Sequence, residues 1–288
     1  MAQASLRRAL ALRSRGRATA SRPQLRPRQD LAPSWAAGLA RPGGGLPPVI
    51  PVVIIDDNAD DGSAVADRRR TVRLSPEVIV DAAVRVAARA EPDGLTGKAL
   101  GNELGVDRSA VWRHFADRDA LLLAVGDRLL KMAVDDVPQG LAPRERLVHL
   151  AGSVVELYVA HPYVGAAVAC RTLRGPGELA AIEMTLASLQ ELGLSKETTA
   201  RFQRMFADTV LSYAGMRAGY AVLPQQIRDA DEQLWAGTHA TVSPERYPAL
   251  AAHVPYLARQ DDDSVFASLL EAFWLAVAHD ASSQGPTQ

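Results

Sequence analysis

The amino-acid sequence predicts an all-α protein with a small N-terminal three-helix unit, a larger helical body and a disordered N-terminal tail. Three observations carry this prediction. From residue 75 onward apolar side chains recur at the helical period, and strand signals are few. Short breakers (Pro92-Asp93-Gly94, Gly105-Val106 and Phe115-Ala116-Asp117) cut the stretch up to residue 121 into small helices. Residues 1–67 instead carry proline at 23, 27, 33, 42, 47, 48 and 51, a triple glycine at 43–45, and no helical period. With 288 residues, 48% hydrophobic, 23% charged and a net charge of −1, the chain is neither collagen-like nor wholly disordered. No run approaches the ~18–20 apolar residues of a membrane span. The single cysteine, Cys170, rules out an intramolecular disulfide or a cysteine-based zinc cage and suits the cytoplasm.

The tail is basic. Residues 1–74 carry a net +7, residues 75–121 a net −2 and residues 122–288 a net −6. Residues 1–28 hold eight arginines and no acid, a composition shared with transit peptides but read here as a disordered basic arm or an upstream extension. Val49–Ile55, interrupted by Pro51, reads as a sticky linker rather than an edge strand. Arg68, Arg69, Arg70 and Arg73 then lead into Ser75-Pro76-Glu77, a helix start with a capping hydroxyl, proline at the first position and an acid at the positive dipole end. Ile79, Ala82, Ala83, Val86 and Ala90 continue at helical spacing. A second helix follows Thr96 as its cap, with Leu100 and Leu104 inward. Asp107 caps a third, which Phe115-Ala116-Asp117 closes while opening a fourth.

Two short helices joined through Gly105-Val106 have the layout of a helix-turn-helix. The turn calls for glycine because its φ is positive, and Gly101, four residues earlier, lets the helices approach. With Val111 turned inward, Ser109 and Arg113 fall about 160° and 200° away on the helical wheel. The exposed edge therefore offers a hydroxyl and a guanidinium, with Trp112 and His114 beside them. Arg113 can donate twice to a guanine edge, while Trp112 and His114 reach phosphates. Arg118, opening the fourth helix, adds a cation at an anion-favouring helix start.

From Ser75 to Met132 the sequence resembles the DNA-binding domain of the TetR (tetracycline-repressor) family of transcriptional regulators. The resemblance rests on Leu95-Thr96, on Leu104-Gly105-Val106-Asp107-Arg108-Ser109-Ala110-Val111-Trp112-Arg113-His114-Phe115 and on Asp117-Arg118-Asp119-Ala120-Leu121. Trp112 stands where the family has tyrosine, Gly101 where it has alanine and Arg118 where it has lysine. The resemblance implies that Thr96, Ser109, Trp112, Arg113, His114 and Arg118 face DNA, and Arg108 joins this candidate set. Including Arg68, Arg69, Arg70 and Arg73 changes the net charge of 68–121 to +2, so these four are expected to form an arm along the DNA backbone.

The expected divisions are 1–67 tail, 68–121 DNA-binding domain, 122–281 ligand-binding and dimerisation domain, and 282–288 disordered C-terminus. Helices are expected over 143–160, 163–173, 177–192, 197–222 and 264–279. Within the last, Val265–Ala278 is apolar except at Ser268 and Glu271, so it must be covered on more than one side. The resemblance implies that 197–222 and 264–279 form a four-helix homodimer interface, for which Phe206, Tyr213, Leu269, Phe273 and Trp274 are candidates. Asp261-Asp262-Asp263 reads as a helix cap rather than a metal site. His149, Tyr158, His161, Arg171, Arg174 and Trp235 are candidates for an effector pocket. Motifs of hydrolases, zinc proteases, P-loops and dinucleotide folds are absent, and neither a cofactor nor catalysis is expected. The leading expectation is a dimeric repressor of palindromic operator DNA released by a small molecule; the alternatives are a non-specific architectural DNA binder and an enzyme on a helical scaffold.

Overall fold

A computed structural model describes residues 74–284 except Asp93, Thr241 and Ala258. The tail, the four-arginine arm and residues 285–288 lie outside the described residues. Among the described residues there are eleven helices and no strand, in agreement with the all-α prediction.

Helix α1 (Pro76–Ala87) begins as the sequence indicates, with Ser75 Oγ accepting from the Val78 N–H at 3.3 Å. Its buried stripe of Ile79, Ala82, Ala83 and Val86 faces the inside of the three-helix unit. Helix α2 (Gly97–Leu104) is capped by Thr96, whose Oγ1 accepts from Ala99 N at 3.1 Å. Helix α3 is a single turn, Arg108–Val111, capped by Asp107 through the Ser109 N–H at 2.8 Å. It is shorter than the span to Phe115 that the periodicity suggests. Beyond Val111 the chain tightens into i→i+3 bonds, from Arg113 N to Ala110 O at 3.4 Å and from His114 N to Val111 O at 3.1 Å. Helix α4 (Arg118–Asp135) is continuous across the expected boundary at 121/122 and packs on α1 as well as on the body.

The body consists of α5 (Pro143–Ala160), α6 (Pro162–Val168), α7 (Pro176–Gln190), α8 (Lys196–Ala221), α9 (Gln225–Ala240), α10 (Pro248–Leu257) and α11 (Asp262–Gln284). Its densest packing joins α5 to α8, α4 to α7 and α6 to α8. Periodicity did not indicate α9 or α10: α9 is polar, and α10 contains Pro255 and has no buried residue. Helix α11 runs on to Gln284, so 282–284 are helical rather than disordered. By length and composition alone Asp262–Ser283 is long and apolar enough to cross a membrane, although polar and charged side chains such as Ser268, Glu271 and Asp280 interrupt it. The helix is nonetheless two-faced, since Phe266, Leu270, Phe273, Trp274 and Val277 are buried. Asp261 caps it, accepting from Ser264 N at 2.9 Å, so the aspartate run acts as a cap as read.

One buried charge ties α4 to α7. Asp127, midway along α4 and only 7% exposed, accepts from Gly177 N at 3.0 Å and Glu178 N at 2.8 Å. A carboxylate from one helix thus caps the N-terminus of another fifty residues away in sequence. Gly175 and Gly177 have no room for a Cβ, because Asp127 already occupies that space.

Candidate nucleic-acid interface and cavity

The helix-turn-helix geometry follows from two glycines. Gly105 sits at φ 68°, ψ 30°, the left-handed region that a Cβ penalises. The following Val106 N–H bonds to Gly101 O at 2.9 Å. At Gly101 a Cβ would stand 2.8 Å from Val106 O and 3.3 Å from Arg108 N, so α2 and the turn touch backbone to backbone. Val111 and Leu100 are fully buried beneath this crossing. Each such side chain contributes roughly 1.5–3 kcal/mol by leaving water.

The opposite face is open. Arg108, Ser109, Arg113, His114 and Arg118 are exposed, while Thr96 and Trp112 are half-buried. Trp112 does not simply point outward. Its indole edge lies over the first turn of α2, where a Cβ on Gly97 would meet Nε1 at 2.5 Å. Gly97 therefore belongs to this face because it lets the ring lie down, a role that sequence spacing gave no sign of. Lys98, also exposed, is a further cation at the start of α2 that the sequence reading passed over. Asp107 puts a negative charge on the same face. Hydrogen bonds from the Ser109 side chain and backbone, then the charges of Arg108 and Arg113, hold its carboxyl below the usual range. On the far side, Glu103 binds Arg85 Nε at 2.9 Å and also Arg89, clamping α2 to α1. Arg118 opens onto a groove of about 440 Å³ that it shares with Glu91 and Tyr163, between α1, α4 and α6.

The body carries a half-open cavity of about 740 Å³ bounded by α4, α5, α7, α8, and α6 with the segment after it. Apolar side chains such as Leu130, Val154, Ile182 and Val210 form most of its wall, with Thr185 and Gln203 as polar points. Among the expected pocket residues only Arg171 lies on this wall. His149 turns to Asp136, 3.0 Å away. Tyr158 is sealed in the core, and burial pushes its hydroxyl pKa upward. His161 is buried where α5 meets α6, its Nδ1 donating to Leu157 O at 2.8 Å. Arg174 is exposed in a left-handed conformation at φ 62°, and the Trp235 side chain is outside the described set. The wall was hard to foresee because it draws small and apolar residues from five separate segments.

The candidate dimer residues also divide. Phe206, Tyr213, Phe273 and Trp274 are buried within one subunit, which corrects their expected outward position. Phe273 packs edge-on to Phe202 at 5.8 Å and tilted on Phe206 at 5.6 Å, and Tyr213 stacks on Phe266 at 4.4 Å. These aromatics fill the antiparallel α8–α11 contact of the chain itself. Only Leu269 of the five is exposed, on an outer face of α11 shared with Val265 and Leu275. On α8, Met205 and Met216 are exposed too.

Two family profiles match this chain. Residues 79–125 match "Bacterial regulatory proteins, tetR family" and residues 140–273 match "Tetracyclin repressor-like, C-terminal domain", together more than half of the sequence. An HTH-type transcriptional repressor of Mycobacterium tuberculosis is 32% identical over 136 residues, covering 45% of this chain and 52% of the relative. The chain thus spans about half the length of the curated relatives it matches. Apo ActR from Streptomyces coelicolor superposes with a TM-score of 0.62 at 21% identity, over 74% of this chain and 99% of that one. ActR in complex with actinorhodin gives 0.60 at 22% identity, over 72% and 96%. At these identities the likeness to the solved structures is one of fold.

Proposed function

Given that the chain belongs to the tetR family of bacterial regulatory proteins, we propose that it represses transcription by binding palindromic operator DNA as a homodimer, and that a small molecule in the body cavity releases it. The observation that carries this reading is the division of the short α3 and the turn after it: Val111 is fully buried while Ser109, Arg113 and His114 stand exposed. A helix-turn-helix that hides its apolar side and offers a fork of guanidinium donors is built for a major groove. In this reading Thr96, Trp112 and Arg118 hold phosphates, with Arg108 beside them, and Arg68, Arg69, Arg70 and Arg73 follow the backbone. The DNA-binding part spans 68–121 and the regulatory part 122–281, with α4 belonging to both. Effector control is supported by the cavity and by the ActR structures, which are named as complexes with (S)-DNPA and actinorhodin.

Dimerisation is argued from α11. Its inner side is occupied by α8, and its outer side leaves Val265, Leu269 and Leu275 in water. Pairing this side with a second copy would cover them, and binding two half-sites of one operator requires two α3 elements about 34 Å apart. The protein acts in the cytoplasm without catalysis.

The test is selection of binding sites from random DNA followed by gel shifts. Selected sites should be palindromic. Arg113→Ala should cost about 1–3 kcal/mol on the selected site and little on random DNA. Changing Arg68, Arg69, Arg70 and Arg73 together to alanine should weaken all DNA equally and flatten the salt dependence. If random DNA competes as well as selected DNA, the protein is an architectural binder instead.

A further inference from the structure

This inference rests on the effector-controlled reading above and names the class of effector and the side chain it engages. Arg171 stands where two regions meet. It lies on the cavity wall, yet Nη1 donates to Asp119 Oδ1 at 3.0 Å and Nη2 donates to Asp119 Oδ2 at 2.8 Å. Asp119 sits in the first turn of α4, next to Arg118 on the DNA side. One guanidinium therefore joins the cavity to the helix start that faces the duplex.

We propose that the cavity takes an apolar organic acid whose carboxylate captures Arg171 from Asp119. The wall's other guanidinium, Arg204, is engaged one turn along its own helix, whereas Arg171 reaches across to α4. Arg204 Nε donates to both carboxylate oxygens of Asp208 at 2.9 and 2.8 Å, and Glu178 Oε2 accepts from Arg174 N at 2.8 Å. A guanidinium that gives up a two-pronged carboxylate keeps both prongs filled only by taking another. A neutral or cationic ligand would leave it with Asp119. The Arg171–Asp119 side chains are 39% and 55% exposed, and pairs of that kind hold weakly. Giving up Asp119 then costs at most about fivefold in affinity, which a charge-assisted pair to a carboxylate seated in the cavity outweighs, and burial of the ligand's apolar body against Leu130, Val154, Ile182 and Val210 supplies the rest. Once released, Asp119 no longer holds the first turn of α4 to the body. The weakness of the pair limits this coupling to about fivefold in affinity.

The full-length protein is titrated calorimetrically with matched acid and amide probes, naphthalene-1-acetate against naphthalene-1-acetamide and octanoate against octanamide. At least one acid should bind about tenfold tighter than its amide. Asp119→Asn should tighten the acid up to about fivefold and leave the amide unchanged, because it removes the internal competitor. Asp119→Glu should return the acid to wild-type affinity, which a general loosening would not do. Arg171→Gln should erase the acid–amide difference while the circular-dichroism spectrum stays helical. The proposal fails if no acid binds at millimolar concentration, if acids and amides bind alike, or if Asp119→Asn leaves the acid unaffected. None of these measurements involves DNA. Indifference to acids with intact operator binding overturns this inference alone, and loss of operator recognition leaves it standing.

Discussion

Replacing Asp127 by asparagine probes the strongest single link between α4 and the body. The carboxylate is 7% exposed and accepts two backbone N–H bonds, at 3.0 and 2.8 Å, from the start of α7. Hydrogen bonds to a charged group contribute about 1.5–3 kcal/mol each, and burial here prevents solvent from replacing them. Asparagine keeps the volume but has one acceptor oxygen. Its amide turns a donor toward the second N–H, so one bond is lost, the other becomes neutral, and about 0.5–1 kcal/mol of favourable dipole interaction is lost. The expected destabilisation is about 2–4 kcal/mol. For a folded part of roughly 200 residues, 1 kcal/mol moves Tm by about 2–4 °C, giving a drop of about 4–16 °C. Asp127→Ala should fall further, because it strands both N–H groups and opens a void. The assay is thermal unfolding followed by circular dichroism, at one fixed protein concentration because association raises Tm. A Tm for Asp127→Asn within about 2 °C of wild type would refute the claim that this cap holds α4 and α7 together.

Three further outcomes follow from the same coordinates. Gly101→Ala should destabilise by about 1–2 kcal/mol in denaturant titrations, because its Cβ would press on Val106 O at 2.8 Å; a gain of about 1 kcal/mol would mean that helix propensity outweighs the contact. Burial holds the His161 pKa below its usual 6.5 against a smaller opposing pull from Leu157 O. The unfolded chain then binds the proton first, so this contribution to stability is complete above about pH 6.5 and is lost as pH falls through the folded value. His161→Asn should show a shallower fall of Tm between pH 7.5 and 5.5, and parallel curves would remove His161 from the explanation. Leu269→Glu combined with Leu275→Glu, on the exposed side of α11, should convert dimers to monomers in sedimentation experiments without lowering helicity; an unchanged mass would place the interface elsewhere.

The three-helix unit was legible because local chemistry decides it. Ser75, Thr96, Asp107 and Asp117 each cap the helix that follows, and Gly105 takes the left-handed conformation that the turn requires. The body was legible in its long helices and opaque in its partners. Helix α11 is apolar on two sides, and composition could not say which side met α8; the aromatics Phe273 and Trp274 went inward and Leu269 outward. The cavity defeated sequence reasoning for a related reason. Polar and aromatic residues were the natural candidates, but Tyr158 and His161 went to the core and His149 to Asp136. Arg171 alone reached the wall, and its bond to Asp119 spans 52 positions that no short-range pattern connects.

The tryptophan lying across Gly97 also gives the protein an optical probe of its own. Its ring is half-buried over the first turn of α2, and in the proposed mode of binding DNA docking would change the polarity around it and hence its emission. Trp274, buried on α11 beneath the Arg144 guanidinium, would stay spectrally constant through the same event. With the other indoles replaced by phenylalanine, emission from residues 112 and 274 would follow docking and subunit packing separately, with no attached dye.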